Sequence, residues 1–326
     1  MKNGLYIVDF HAHLQDCHTQ QVLCAEDRNN LFFKHAAPIL EQVAHMGEPY
    51  YSVPLRSLAI NYHGEIGRQL FGMLGQVFLM ETLRLFKKYG IERLLENMER
   101  NEIDHVVIHS LEPLTATKNI LQLIEPFRHK ISVFASVHRA EPDPVGYFKA
   151  FVKAGVISGL KIHPQVGGFA CGELYDKVKD LVAYAADEGL PIMIHTGHIP
   201  VQQLKGIAGC SEVDALEPLL AGFPHAKIIL AHIGWESWRR VLELATIYPN
   251  VSVETSWQSA RVIRRAVDTI GAERVLFGSD FPLFDQKFAM EQVEKALTHQ
   301  EFVLVASVNA KRLLRLPVAA TSVQAS

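Results

Sequence analysis

Eight short, nearly continuous apolar segments alternate with amphipathic ones along most of this 326-residue chain. The apolar segments fall at 5–10, 104–109, 131–137, 156–163, 191–195, 226–232, 251–255 and 274–279. Helical spacing recurs at 91–100, 119–127, 144–154, 174–188, 213–221, 238–248, 260–270, 286–298 and 308–316. Glycines at 189, 222 and 271 follow three of these stretches, where a helix commonly stops. Strands that alternate with helices pair in parallel, because each return to the sheet needs a crossover. Strands apolar along most of their length are buried on both faces. Eight of them predict an α/β fold, a closed (β/α)8 TIM barrel rather than an open sheet. The whole chain, 1–326, is then one domain. Sites in such barrels gather where the strands end.

One stretch breaks the rhythm. Residues 14–89 separate the first strand from the next helix and are too long for a plain loop. They are expected to form a mainly helical insertion, with helices near 31–45 and 64–88. Ile66, Leu70, Met73, Leu74, Val77 and Phe78 recur at helical spacing. Arg68, Gln69, Glu81 and Arg84 interrupt the apolar run, so it makes a poor membrane span. Such a segment leaves the barrel at its strand-end rim. Its apolar stripe calls for cover, either as a cap over the mouth or as the interface of a homodimer.

Composition narrows the function classes. The net charge is −3 with both signs scattered, which argues against nucleic acid as a partner and leaves a small molecule. The four cysteines form no C-x-x-C pair and no disulfide framework. The first residues run straight into a strand and lack the pattern of a signal peptide, so a cytoplasmic location is expected.

The strand ends carry the chemistry. Strand one closes on Asp9-Phe10-His11-Ala12-His13. Alternation puts His11 and His13 on one face, where two imidazoles can share a metal at roughly 2.0–2.1 Å. Asp9 shares that face and is expected to orient an imidazole from behind. Strand four ends in Lys161 and His163, strand five in His195, strand six in His232 and strand eight in Asp280. Histidines scattered at random would fall on strands, helices and loops alike. Here they collect at one rim.

These motifs have a family likeness. His-Ala-His, Gly-Leu-Lys-Ile-His-Pro, Ile-His-Thr-Gly, Ala-His-Ile-Gly, Phe-Gly-Ser-Asp-Phe-Pro and the closing Asn-Ala-Lys-Arg-Leu-Leu resemble the amidohydrolase superfamily of metal-dependent hydrolases. The chain is most similar to the branch that includes aminocarboxymuconate semialdehyde decarboxylase. The likeness covers roughly 5–13 and 91–316, and the insertion has no counterpart in it. The resemblance implies a divalent metal, zinc first and manganese, iron or nickel as alternatives, held by His11, His13, His195 and Asp280. It implies Asp280 as general base and His232 beside the water or substrate oxygen. Lys161 is either a plain cation near one metal or a carboxylated bridge between two. His163 contacts substrate or shapes the rim. The implied reaction is hydrolysis of a C–N or C–O bond in a small carboxylated or cyclic molecule, with non-oxidative decarboxylation by the same constellation as the alternative.

Other positions are weaker. Arg139 follows strand three and is either a clamp for a substrate carboxylate or a surface ion pair. Trp235 and Trp238 follow His232 and either wall an apolar substrate or pack. His109 lines the rim or sits in the core, Glu254 lies among the ligands or serves the fold, and His198 is three residues beyond His195.

Overall fold

The computed structural model describes residues 4–14, 60, 90–112, 114–197 and 212–317. The insertion expected at 14–89 and the loop with His198 lie outside the described residues, apart from Leu14 and Ile60. Among the described residues no helix is long and apolar enough to cross a membrane.

Eight strands form one sheet in chain order, each parallel to the next. They are β1 (Val8–Ala12), β2 (His105–His109), β3 (Ile131–Ala135), β4 (Gly159–Ile162), β5 (Pro191–Ile194), β6 (Lys227–Leu230), β7 (Val251–Glu254) and β8 (Val275–Leu276). The helices that return the chain include α1 (Ile91–Arg100), α2 (Thr117–Leu123), α3 (Pro144–Lys153), α4 (Leu174–Asp187) and α5 (Glu217–Gly222). Then come α6 (Trp238–Ile247), α7 (Ala260–Ile270), α8 (Gln286–Ala296), α9 (His299–Val303) and α10 (Asn309–Leu314). The eight-fold alternation expected from the sequence is therefore present.

The barrel closes by backbone bonds between β1 and the segment after β8. Phe10 N–H donates to Phe277 O at 2.8 Å, His13 N–H to Phe281 O at 2.7 Å, and Asp280 N–H to His11 O at 2.7 Å. β8 itself is only two residues long because Phe277–Asp280 bends to meet β1. The helix expected over 213–221 begins as a 3-10 turn, Val213–Leu216, and becomes α-helical at Glu217. Pro218 explains the division, since it lacks the N–H that a continuous helix would use.

Two apolar layers hold this frame. Outside the strands, a large core joins helix faces to β-branched strand residues such as Ile108, Ile192 and Val253. Inside, Val8, Phe10, Val107, Phe134, Met193 and Ile229 fill the lower barrel. Phe10 and Phe134 meet edge to face at 5.5 Å. Gly159 makes room for them, because a Cβ there would lie 2.5 Å from the Phe134 ring. The lower interior is thus packed, and its polar pair, His105 and Ser132, is spent on a mutual bond at 2.8 Å.

Outside the barrel, α7 is tied to α9. Arg264 donates both terminal nitrogens to Glu301, at 2.7 and 2.9 Å, and Thr298 N–H donates to the same carboxylate at 2.9 Å. The Arg264 bonds hold the Glu301 carboxyl down at about 2. A carboxyl depressed on folding stabilises above its unfolded value and loses that contribution as pH falls. Glu301→Gln is expected to lower stability by about 1 kcal/mol at pH 7. Urea unfolding at stepped pH should show parent and variant converging as pH falls from the ordinary glutamate range towards 2.

Candidate metal centre

His11 and His13 end β1 with their rings turned to the same place, as strand spacing predicts. Their Nε2 atoms are 3.2 Å apart. Asp280 Oδ1 lies 3.1 Å from His13 Nε2 and 3.6 Å from His11 Nε2. The neighbours of the rings decide which nitrogens carry hydrogen. His13 Nδ1 is 2.8 Å from the carbonyl oxygen of His109, which can only accept. His13 Nε2 is therefore a lone pair. His11 Nδ1 is 2.8 Å from Glu254 Oε2, and an ionised Glu254 makes His11 Nε2 a lone pair as well. Asp280 Oδ1 is buried and has no hydrogen-bond partner among the described residues. Three electron-rich atoms thus converge in a buried space. That arrangement repels itself unless a cation or a proton stands between them, so the donor set fits a divalent ion.

The electrostatics agree with a neutral His11. Burial first, and then the Lys161 charge, push His11 well below the usual histidine range. Burial likewise lowers His109, His163 and His232 well below it. Lys161 is buried with Nζ 3.2 Å from His11 Nε2. Desolvation pulls it down to about 8, against the opposing pull of Asp280 and Glu254. Burial raises Glu254 to about 8, while N–H and O–H groups of Ser256 and the N–H of His232 donate to it and favour the anion.

His195 borders the trio without joining it. No group of ligand atoms within 4.8 Å of one another includes His195 among the described residues, whereas His11, His13 and Asp280 form one. Its Nδ1 is 3.1 Å from His232 Nε2, and its Nε2 is 3.2 Å from the Gly197 carbonyl. His163 is half-buried and stacks on the His195 ring at 3.8 Å. His232 stacks on His11 at 4.9 Å, and its Nδ1 is 2.7 Å from Ser256 Oγ. Ser256 Oγ donates its hydrogen to Glu254, so it accepts from His232 Nδ1. His195 Nε2 donates to a carbonyl. The facing nitrogens of His232 and His195 are then both lone pairs, and this edge too calls for a proton or a cation.

Four expectations need correction or placing. Asp9 does not orient an imidazole. The register shifts between Asp9 and Ala12, so strict alternation fails there. Phe10 and His11 both turn into the barrel, and Asp9 turns towards α8. Its carboxylate accepts from Ser279 N–H at 2.9 Å, Ser279 Oγ at 2.6 Å and Gln286 Nε2 at 2.7 Å. Glu254 takes the orienting role instead. Arg139 is exposed, bonds to the Gly168 carbonyl and pairs with Glu173 at 3.6 Å, so it is the surface pair rather than the clamp. Trp238 opens α6 under the Arg239 guanidinium, whereas Trp235 stays at the rim with its ring 5.4 Å from Trp257. His109 holds rather than ligates: its carbonyl takes His13, and its Nε2 is 2.9 Å from the Phe10 carbonyl.

Sequence reasoning missed the segment after β7. Trp257 Nε1 donates to Asp280 Oδ2 at 2.5 Å. Gln258 Nε2 donates to the carbonyls of His232 at 2.6 Å and Trp235 at 3.0 Å. Those bonds hold a strained loop, in which His232, Ile233 and Trp235 all have positive φ. Gly234 lies in the same loop, where a Cβ would meet Val241 Cγ2 at 2.4 Å. Glu254 was visible as a strand-end acid, but nothing in the pattern marks a tryptophan three residues beyond it.

An amidohydrolase family model matches residues 8–316. The chain belongs to the amidohydrolase family. Solved structures with the same fold include 5-carboxyvanillate decarboxylase from Sphingomonas paucimobilis, 16% identical with a TM-score of 0.60 over 96% of this chain and 100% of that one. A 2,6-dihydroxybenzoate decarboxylase from Rhizobium is 14% identical with a TM-score of 0.61 over 96% and 99%. An amidohydrolase from Burkholderia multivorans with bound zinc is 17% identical with a TM-score of 0.55 over 72% and 90%. No curated protein matches the chain. Identities this low establish the shared barrel, and family membership makes a divalent metal the group expected in it.

Metal content by mass spectrometry, after dialysis against Zn2+ or Mn2+, is expected to show at least one ion per chain. His13→Ala should lose most of it while the far-ultraviolet circular dichroism of the barrel is retained. Full retention of metal in that variant would remove His13 from the ligand set.

Proposed function

We propose that this amidohydrolase is a metal-dependent hydrolase that adds water across a C–N or C–O bond of a small carboxylated or cyclic substrate. The observation that carries the reading is the convergence of two imidazole nitrogens and a carboxylate oxygen with no hydrogen-bond partner among the described residues, from His11, His13 and Asp280, at the strand-end rim. These residues would hold the ion, with His195 at its edge. A divalent ion in such a place lowers the pKa of water to about 7 and polarises a carbonyl.

The chain's own groups divide the remaining work. Asp280 accepts the proton that water loses as it attacks, through Oδ1. His232 lies against His11 and His195, and once the proton that this edge calls for is on its Nε2, it steadies negative charge on the substrate oxygen. Lys161 is the buried cation beside His11 and receives an anionic group of the substrate. Its ammonium is worth more there than at the surface, because the surroundings exclude water. His163 and Trp235 border the approach.

Decarboxylation by the same constellation is the second reading. Lys161 favours it, as a cation placed to hold a leaving carboxylate, and at least four of the structurally similar proteins are decarboxylases. Hydrolysis is preferred because the clamp expected for a carboxylate, Arg139, is committed to Gly168 and Glu173. Turnover of a panel of carboxylated lactones, cyclic amides and hydroxybenzoates separates the two. A hydrolase places one 18O from labelled water in its product. A decarboxylase releases carbon dioxide and, in D2O, leaves deuterium on the former carboxyl carbon. The second outcome would replace the hydrolytic reading.

Asp280→Asn is expected to abolish turnover, by about a hundredfold or more, even when metal is supplied at a concentration that saturates the variant. The amide keeps the size and one oxygen but cannot accept the proton. Steady-state kinetics at matched metal content measures this, and an Asn variant at the parent's rate would rule out Asp280 as the base.

A further inference from the structure

We propose that Trp257 is a positioning residue for Asp280: its indole N–H takes one carboxylate oxygen so that the other is presented to His11 and His13. The inference rests on the metal reading of the site and adds a residue to it. Asp280 has two oxygens with different surroundings. Oδ2 receives the Trp257 Nε1–H at 2.5 Å. Oδ1 has no hydrogen-bond donor among the described residues and lies 3.1 and 3.6 Å from the two Nε2 atoms. A free carboxylate can rotate, or turn both oxygens to one cation. With Oδ2 held by a short charge-assisted bond, rotation stops and a single oxygen faces the ligand space.

The indole is itself held from several sides. Its ring meets Phe284 edge on at 4.8 Å and Trp235 at 5.4 Å. The residues before and after it are tied down as well, Ser256 to Glu254 and Gln258 to the carbonyls of His232 and Trp235. Trp257 has a φ of 63°, and Asp280 has a φ of 60°. A bulky aromatic residue adopts the left-handed region rarely, and such strain persists where the surroundings over-determine it. Asp280 is over-determined too, with its N–H on the His11 carbonyl and its carbonyl receiving Leu283 N–H at 2.8 Å. Donor and acceptor are thus both locked before any ion arrives. The end of β7 sets the ligand from β1 through Glu254, and the loop after it sets the ligand from β8 through Trp257.

The test uses the full-length protein and needs no substrate. Zn2+ affinity is measured by competition with a chromophoric chelator, and the Co2+-loaded protein is examined by its visible absorption bands. Trp257→Phe keeps an aromatic ring and removes the N–H. It is expected to weaken Zn2+ binding by about tenfold or more and to shift the cobalt bands. Phe284→Leu loosens the same packing but leaves the N–H, and should bind Zn2+ as the parent does. Benzothienylalanine at position 257 keeps the bicyclic shape and replaces the N–H by sulfur. It should reproduce the Trp257→Phe loss even if the phenylalanine variant folds poorly. The proposal is overturned if the sulfur analogue matches the parent, or if Phe284→Leu weakens binding as much as Trp257→Phe. A parent that binds neither Zn2+ nor Mn2+ would instead refute the metal reading itself.

Discussion

A single buried bond across the barrel, from His11 Nδ1 to Glu254 Oε2 at 2.8 Å, organises the rim. It joins the first strand to the seventh and decides which nitrogen of His11 is left to act. Glu254 is buried at the end of β7, and the cost of that burial is offset by donors on every side: Ser256 N–H, Ser256 Oγ–H and His232 N–H as well as the imidazole. One carboxylate thereby sets the tautomer of a β1 ligand and the backbone of the β6 histidine. Removing it would leave His11 free to turn and would leave several donors unsatisfied.

A second buried acid does the comparable work for the frame. Asp9 ties β1 to Ser279 beside β8 and to Gln286 on α8, where barrel closure relies on backbone bonds to a bent segment rather than on a long strand pair. Burial raises its carboxyl to about 6, against the pull of those donors. The two acids explain how a metal-type site can stand on very short strands. The ladder bonds of β8 are few, so side-chain bonds to the neighbouring turns hold Ser279 and Asp280 in register with His11.

Backbone strain gathers at the same rim. His232, Ile233 and Trp235 after β6, Trp257 after β7 and Asp280 after β8 all have positive φ. Each of these segments must turn sharply from a strand while keeping a side chain aimed at the barrel axis. The strain is offset by bonds that close the turns on one another, notably Gln258 to His232 and Trp235, and Trp257 to Asp280. Preorganisation of this kind lets an ion or substrate bind without first ordering the loops.

The sequence by itself determined the barrel and the place of the site. Eight apolar strands alternating with helices leave few other topologies, and His11, His13, His232, Lys161 and Asp280 stood at strand ends because period-two spacing and turn residues mark those ends plainly. What only the tertiary structure decided was which side chain serves which neighbour. The shift of register beside Asp9 is invisible in a strand pattern, so the expected orienting acid and the actual one, Glu254, changed places. Arg139 read equally as clamp or surface pair until the loop carrying Gly168 and Glu173 was placed beside it. Trp257 sits 23 residues from Asp280 in the chain. Its part depends on two left-handed turns that bring separate strand ends together, and that is a property of the closed barrel rather than of any local stretch.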